Sequence, residues 1–431
     1  MAEPGAIALP LNAPGALPVR SVLAYGALGL PLAFAALPIY VHAPKLYGGD
    51  LGLSLALVGG VLLASRVVDA VTDPLIGALS DRSGARRILV LAALPLLAAG
   101  MFALLAPPAG AGALWLAASV IAVTLGFSLA TINYNAWGAE AAEVAVDRTR
   151  LVAAREACAL LGVVVAAALP GVLGGGAQGL ERLAWLFLPV LVACAAITLL
   201  SAPRPIVRRN ATAPLLGALR AALSHRPFAW MLAVFAASGI AAAIPATTVL
   251  FFVADVLDAA ALEGMFLGLY FVAGAASLPL WVRMAARVGK VRAWLAAMLL
   301  SVAVFAWAAM LGSGDVVAYA VICVLSGAAL GADLALPPAM LADLLERDFP
   351  GGEARAGAWF GWWNFVTKAN LALAAGIALP ALTLLGYTPG QGGSAASLSL
   401  VYAVLPCVAK LGAAALLWRL RHELDFEGAM R

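Results

Sequence analysis

The sequence predicts an all-α membrane protein of twelve transmembrane helices, arranged as two pseudo-symmetric six-helix bundles. Three observations predict it. The 431 residues are 64% hydrophobic and only 11% charged, with a mean hydropathy of +1.01, which is too apolar for a water-soluble core of this length. Roughly twelve apolar runs are each long enough to cross about 30 Å of hydrocarbon at about 1.5 Å per residue. A segment of the second run also recurs, in part, at the second run of the other half.

In chain order, residues 1–20 read as a cytoplasmic tail. They are rich in Ala, Pro and Leu and carry no positive charge before Arg20, so they lack the basic start and apolar core of a cleavable signal peptide. The first bundle, 21–202, contains spans near 21–41, 51–80, 87–106, 113–137, 151–173 and 183–202. A polar, basic linker follows at 203–227. The second bundle, 228–419, contains spans near 228–254, 262–284, 291–311, 317–342, 357–385 and 395–419, and 420–431 forms a short tail.

Orientation follows from the Lys and Arg residues. With the amino terminus inside, about twenty of the 26 basic residues fall on the cytoplasmic side and only Lys45 and Arg182 fall outside. Both termini are then cytoplasmic, in a bacterial-type inner membrane. The net charge of +4 is spread over short basic clusters between apolar runs, which orient a membrane protein and do not form a nucleic-acid surface. Cys158, Cys194, Cys323 and Cys407 all lie in apolar runs without CxxC spacing, and His42, His225 and His422 are far apart. Neither a disulfide framework nor a zinc site is indicated, and no cofactor is expected. No GxxxxGK[ST] segment is present, so nucleotide-driven transport has no support.

The second span carries the chemistry. In RVVDAVTDPLIGALSDRSGARR, Arg66 to Arg87, the residues Arg66, Asp69, Asp73 and Gly77 recur every three or four positions and share one helix face. A charge near the bilayer centre costs about 2.5 kcal/mol or more, so such residues line a cavity or pair with one another. Shifted forward by 205 positions, the segment meets FVAGAASLPLWVRMAARVGKVR. There Pro279, Leu280, Arg287, Gly289 and Arg292 match Pro74, Leu75, Arg82, Gly84 and Arg87, whereas Phe271, Gly274 and Leu278 replace Arg66, Asp69 and Asp73. Two parallel repeats thus keep a helix ending in a basic tight turn, and only the first keeps the charges. Those charges serve something other than the fold.

The pattern R-x-x-D-x-x-x-D-P-x-x-G-x-x-S-D-R from Arg66 resembles the second-helix signature of the glycoside-pentoside-hexuronide:cation symporters, the melibiose-permease-like branch of the major facilitator superfamily. NYNAW, Asn133 to Trp137, with Arg150 and Arg155 downstream, is similar to that family's fourth helix and following loop. AMLADLLERDFPGGEARAG, Ala339 to Gly357, resembles its segment after the tenth helix, and GWWNFVTKANLALAAGIA supplies the eleventh-helix lysine as Lys368. The resemblance implies the major facilitator fold and a monomeric, cation-coupled symporter of a small solute, by family a sugar or glycoside.

By the same resemblance Asp69 and Asp73 bind the coupling cation, H⁺ or Na⁺, with Thr72 close by, while Arg66 and Lys368 take part in coupling. The chemistry agrees: two carboxylates one turn apart cannot both ionise cheaply in a low dielectric, so a cation between them would be held firmly. Asn133, Trp137, Arg155, Asp333 and Asn364 are the expected substrate contacts. The sequence departs from sugar-transporting relatives, since Asn133 stands where they have an acid, Ala130 where some have a sodium-binding threonine, and the first helix has no acid near Leu30 to Leu32. An amphipathic cargo such as a lysolipid is therefore a second expectation, and a non-transporting membrane scaffold a third. An intramembrane enzyme would need a nucleophile–base or metal cluster that so few histidines do not supply.

Other charges have expectations attached. Asp81, Arg82 and Arg87 at the end of the second span, and Asp343 and Arg355 after the tenth, are expected to gate the cavity through charge pairs. Asp333 precedes Pro337 and Pro338 and is expected to face Asn133 across the two halves. Lys410 is expected to snorkel to an interface, Trp359 to join an interfacial belt, and His42 and Tyr47 to lie at the outer surface.

Overall fold

The computed structural model describes residues 17–141, 145–205, 220, 223–348, 353–390 and 395–424. Twelve of its helices are long and apolar enough to cross a membrane. In the first bundle these are α1 (Val19–Asp50), α2 (Leu55–Ser83), α3 (Arg86–Leu105), α4 (Ala113–Glu140), α5 (Ala145–Val172) and α6 (Gly176–Ser201). In the second they are α7 (Arg226–Asp255), α8 (Glu263–Val288), α9 (Lys290–Trp307), α10 (Val316–Asp348), α11 (Glu353–Leu384) and α12 (Ala395–Arg419). No strand occurs among the described residues. Leu114, Leu200 and Leu384 stand on the outside of the bundles, which suits a hydrocarbon solvent.

Local chemistry sets several helix ends. Ser54 caps α2, its Oγ accepting from the Leu57 N–H at 3.2 Å. Gly84 ends that helix at φ 59° and Gly289 ends α8 at φ 90°, so the matched glycines of the two repeats both occupy the left-handed region that a side chain disfavours. The span α1 is not continuous. It is broken at Leu28 and Val41 and closes with a π-helical turn, Leu46–Asp50.

With twelve spans, the described ends of the chain, Leu17 and Leu424, fall on one face, here called the termini face. Small residues bring the bundles together at the opposite face. A Cβ added to Gly59 of α2 would sit 2.8 Å from the Ala375 carbonyl oxygen of α11, and one added to Gly264 of α8 would sit 2.6 Å from the Ala168 oxygen of α5. Such near contact of backbones is how membrane helices associate without a hydrophobic drive. Lys45 of α1 adds an ion pair to Glu263 of α8 at the same face. On the termini face, the described ion pairs lie within single bundles: Arg86–Glu140 at 2.8 Å, Arg150–Asp147 at 2.8 Å and Lys290–Asp343 at 2.5 Å.

Two expectations about α1 are corrected here. His42 and Tyr47 are buried, with His42 Nε2 3.1 Å from the Ala166 oxygen and the Tyr47 hydroxyl donating to the Leu104 oxygen at 3.1 Å. The end of α1 folds in between α3 and α5, where both polar groups find carbonyls. Trp359 is buried too, its ring edge-on to Phe228 at 4.6 Å, and so is no part of a belt.

Gly59→Leu should oppose closure of the face away from the termini, because the added side chain has backbone in its way. Overpacking of this kind costs about 1–3 kcal/mol. Spin-label distances between the ends of α2 and α11 at that face should lengthen, and an unaltered distance distribution would show that Gly59 does not set this contact.

Candidate functional site

The charged stripe of α2 points to the middle of the protein, where the two bundles meet. Asp69 is buried at 4% exposure. Arg66 Nη1 approaches Asp69 Oδ2 to 2.7 Å, one helical turn along. The contact has an ion-pair distance without hydrogen-bond geometry, because both Asp69 oxygens and Arg66 Nε lack a hydrogen-bond partner. The guanidinium also lies over the Tyr40 ring of α1, 5.6 Å from its centroid. Tyr40 brings a buried hydroxyl that is likewise unpartnered.

Asp73, one turn on, is joined to the other bundle. Lys368 Nζ of α11 donates to Asp73 Oδ2 at 2.5 Å and to Ser128 Oγ of α4 at 3.0 Å. Asp73 Oδ1 remains buried without a partner. Thr72 donates its hydroxyl to the Val68 carbonyl at 3.0 Å, which leaves lone pairs on its oxygen. Four residues expected from the sequence, Arg66, Asp69, Asp73 and Lys368, are thus brought into one cluster at the junction of the bundles.

Three buried carboxylate oxygens lack hydrogen bonds, and two of them, Asp69 Oδ1 and Asp73 Oδ1, also lack an ion-pair contact; leaving such an acceptor unpaired costs about 1–3 kcal/mol. Hard oxygen donors of this type suit Na⁺ or a proton. The donor set of Asp69 and Asp73 therefore fits a cation of the kind the resemblance implies. A cation there would supply positive charge that competes with Arg66 and Lys368.

The other expected site residues are placed less uniformly. Asn133 and Trp137 are both 0% exposed. The Asn133 side chain accepts from the Ser80 hydroxyl and donates to the Leu129 carbonyl at 2.8 Å, and Trp137 Nε1 donates to the Pro203 carbonyl at 2.7 Å. Both belong to the interior of the first bundle, where Trp137 packs edge-on against Tyr25. Neither side chain reaches open space in this conformation. Arg155 is partly exposed and donates to Asn135 Oδ1, and Asn364 is exposed on α11. Asn135, which the motif NYNAW contained beside Asn133, is the residue of that pair whose side chain is partly open.

Asp333 does not face Asn133. It lies inside the second bundle, where Lys410 Nζ donates to Oδ2 at 2.6 Å and Trp294 Nε1 donates to Oδ1 at 2.7 Å. Lys410 also donates to Ser238 Oγ at 2.8 Å, so it is an interior ion-pair partner and does not snorkel.

Of the expected gating residues, Arg87 donates to the Leu199 carbonyl and lies 5.4 Å from the Trp137 ring centroid. Asp343 is held by Lys290. Both are engaged within their own bundle here, not across the cavity. The side chains of Asp81, Arg82 and Arg355 lie outside the described residues. Beyond the spans, Arg347 Nε donates to Asp348 Oδ1 at 2.6 Å, and that bond holds the Asp348 carboxyl below the usual carboxylate range. His225 Nε2 lies 3.1 Å from its other oxygen.

The architecture is shared with solved transporters. The nucleoside transporter NupG superposes with a TM-score of 0.71 at 13% identity, covering 93% of this chain and 99% of that one. A bacterial homologue of the human lysosomal transporter Spinster, in an inward-facing and unoccupied conformation, gives 0.67 at 17% identity, covering 95% of this chain and 97% of that one. At such identities the likeness establishes the fold. No curated protein sequence gives a significant match. The model of one family, described as MFS/sugar transport protein, matches residues 22–423. With twelve spans, that fold and a match over nearly its whole length, the chain belongs to the MFS/sugar transport protein family and is an integral membrane transporter, not an enzyme.

Proposed function

We propose that the protein is a secondary active symporter that couples the movement of a small solute, by family a sugar or glycoside, to Na⁺ or H⁺ by alternating access. One observation carries this reading: Asp69 and Asp73 present three buried oxygens without hydrogen bonds, beside a lysine that reaches Asp73 from the opposite bundle. A cation entering between the carboxylates takes over the charge balance that Lys368 otherwise supplies. The Asp73–Lys368 tie then weakens, and the relative position of the bundles responds.

The contact pattern of the bundles supports the same cycle. They meet at the face away from the termini, and with the termini placed inside by the basic residues, that contact closes the outer side of the membrane. Arg155, Asn135 and Asn364 offer polar contacts to a solute, while Asn133 and Trp137 hold the helix that carries Asn135. Arg66 keeps Asp69 ionisable between cation arrivals, since a carboxylate at this depth needs a counter-charge. Signal for coupling is therefore expected in variants of the α2 stripe and Lys368 before any variant of the cavity wall.

In proteoliposomes loaded with an imposed Na⁺ or H⁺ gradient, Asp73→Asn should lower gradient-driven solute accumulation at least about tenfold. Lys368→Gln should leave solute exchange but remove its dependence on the gradient. Full accumulation by Asp73→Asn would defeat the coupling scheme.

Arg66→Met should destabilise the protein by about 3–5 kcal/mol, the usual result of stranding one member of a buried pair. A thermal melt in detergent should show a lower midpoint, and adding Asp69→Asn should restore most of it. An unchanged midpoint in the single variant would mean that Asp69 does not rely on Arg66.

A further inference from the structure

A separate cavity lies inside the second bundle, away from the α2 stripe. The space in it that the centre of a water-sized occupant can reach is about 90 Å³, within an outline of about 900 Å³ that includes its open mouth. Its walls come from α7, α8, α9, α10 and α12, and Val41 of α1 is the first bundle's contribution. The two ends differ chemically. Toward the face away from the termini, Phe266, Phe305, Tyr319 and Tyr402 surround the space with rings, and the Tyr319 and Tyr402 hydroxyls bond to each other at 2.5 Å. At mid-membrane the space ends on Asp333 and Lys410, below Tyr270 and Phe271.

The polar end has a defined remaining capacity. Lys410, whose side chain is 6% exposed, spends its donors on Asp333 Oδ2, Ser238 Oγ and the Ser238 carbonyl. Asp333 is the more open partner, at 22%. Its Oδ1 accepts from Trp294 and Ser238 and its Oδ2 accepts from Lys410, so one lone pair of Oδ2 is left. What faces the cavity is thus an acceptor on an ion pair already neutral. A ligand with a net charge of either sign would bring an uncompensated charge into the membrane interior, which is costly. A ligand with one neutral hydrogen-bond donor would satisfy the lone pair without that cost.

We propose that this cavity is a binding site for an uncharged amphiphile: an apolar or aromatic body lies against the aromatic walls, and a single O–H or N–H donor meets Asp333. Because Val41 closes one wall and follows Tyr40, over which Arg66 lies, an occupant favours the arrangement of bundles described above. The site shares no residue with the α2 stripe, and its test needs no gradient.

The probe is tritiated 6-phenylhexanol, whose binding to the full chain in nanodiscs is measured by scintillation proximity against empty nanodiscs. Saturable binding is expected, displaced by unlabelled 6-phenylhexanol and about tenfold less well by its methyl ether, by 6-phenylhexylammonium and by 6-phenylhexanoate. Ala246→Trp, which places a ring in the space, should weaken binding at least about tenfold while circular dichroism and the thermal midpoint confirm the fold. Absence of saturable binding, equal displacement by the ether or either charged analogue, or full binding by a folded Ala246→Trp would overturn the proposal.

Discussion

An ionised side chain in the middle of a membrane needs a partner, and much of this structure follows from how three embedded cations find theirs. Arg66 lies against Asp69, Lys368 against Asp73 and Lys410 against Asp333. The rule is the same in each case and the result is different. Asp333 has donors on both oxygens from three helices, so it stitches the second bundle together. Asp69 has an opposite charge nearby and no directed hydrogen bond, so its interaction has no preferred geometry to lose when a competitor arrives. Asp73 is intermediate, with one oxygen held and one left over, and its partner belongs to the other bundle. Charge pairing therefore provides a rigid joint in one half and a replaceable one between the halves.

That difference explains why the repeats diverge where they do. The tight turns at Gly84 and Gly289 are both present and both left-handed, since each helix must reverse at the membrane surface whatever it carries. Phe271, Gly274 and Leu278 replace the charges in the second bundle, and there Gly274 serves packing: a Cβ on it would lie 3.3 Å from the Gly327 carbonyl oxygen. One copy of the helix has become a close-packing surface against α10, and the other a polar one.

The number and approximate limits of the spans were legible in the sequence because hydropathy is a one-dimensional property and a bilayer sets a minimum length. The α2 stripe was legible because charges three and four apart must share a face. Facing was much harder elsewhere. Spans such as α4 are apolar nearly all round, so no polar stripe distinguishes the lipid side from the bundle side, and the inward burial of Asn133 and Trp137 could not be separated from exposure to the cavity. Asp333 and Lys410 were each visible as embedded charges, but they are distant in sequence and their meeting depends on how α10 and α12 pack. Likewise His42, Tyr47 and Trp359 have the composition of interfacial residues and owe their burial to a broken helix and to tertiary neighbours.

The contacts that hold the bundles in this arrangement are of two kinds, and their difference bears on how the arrangement can change. At the face away from the termini the glycine contacts are dispersive and short-ranged. Such contacts are small individually and are lost together once the helices part by an ångström or so. The ion pairs Lys45–Glu263 and Lys368–Asp73 act over longer distances and respond to other ions. Closure at the far face is thus set by packing, while the energy that can be altered from the cavity resides at mid-membrane. In the proposed cycle, a cation at Asp69 and Asp73 need not disrupt the packed face directly; it has only to remove the electrostatic tie that adds to it.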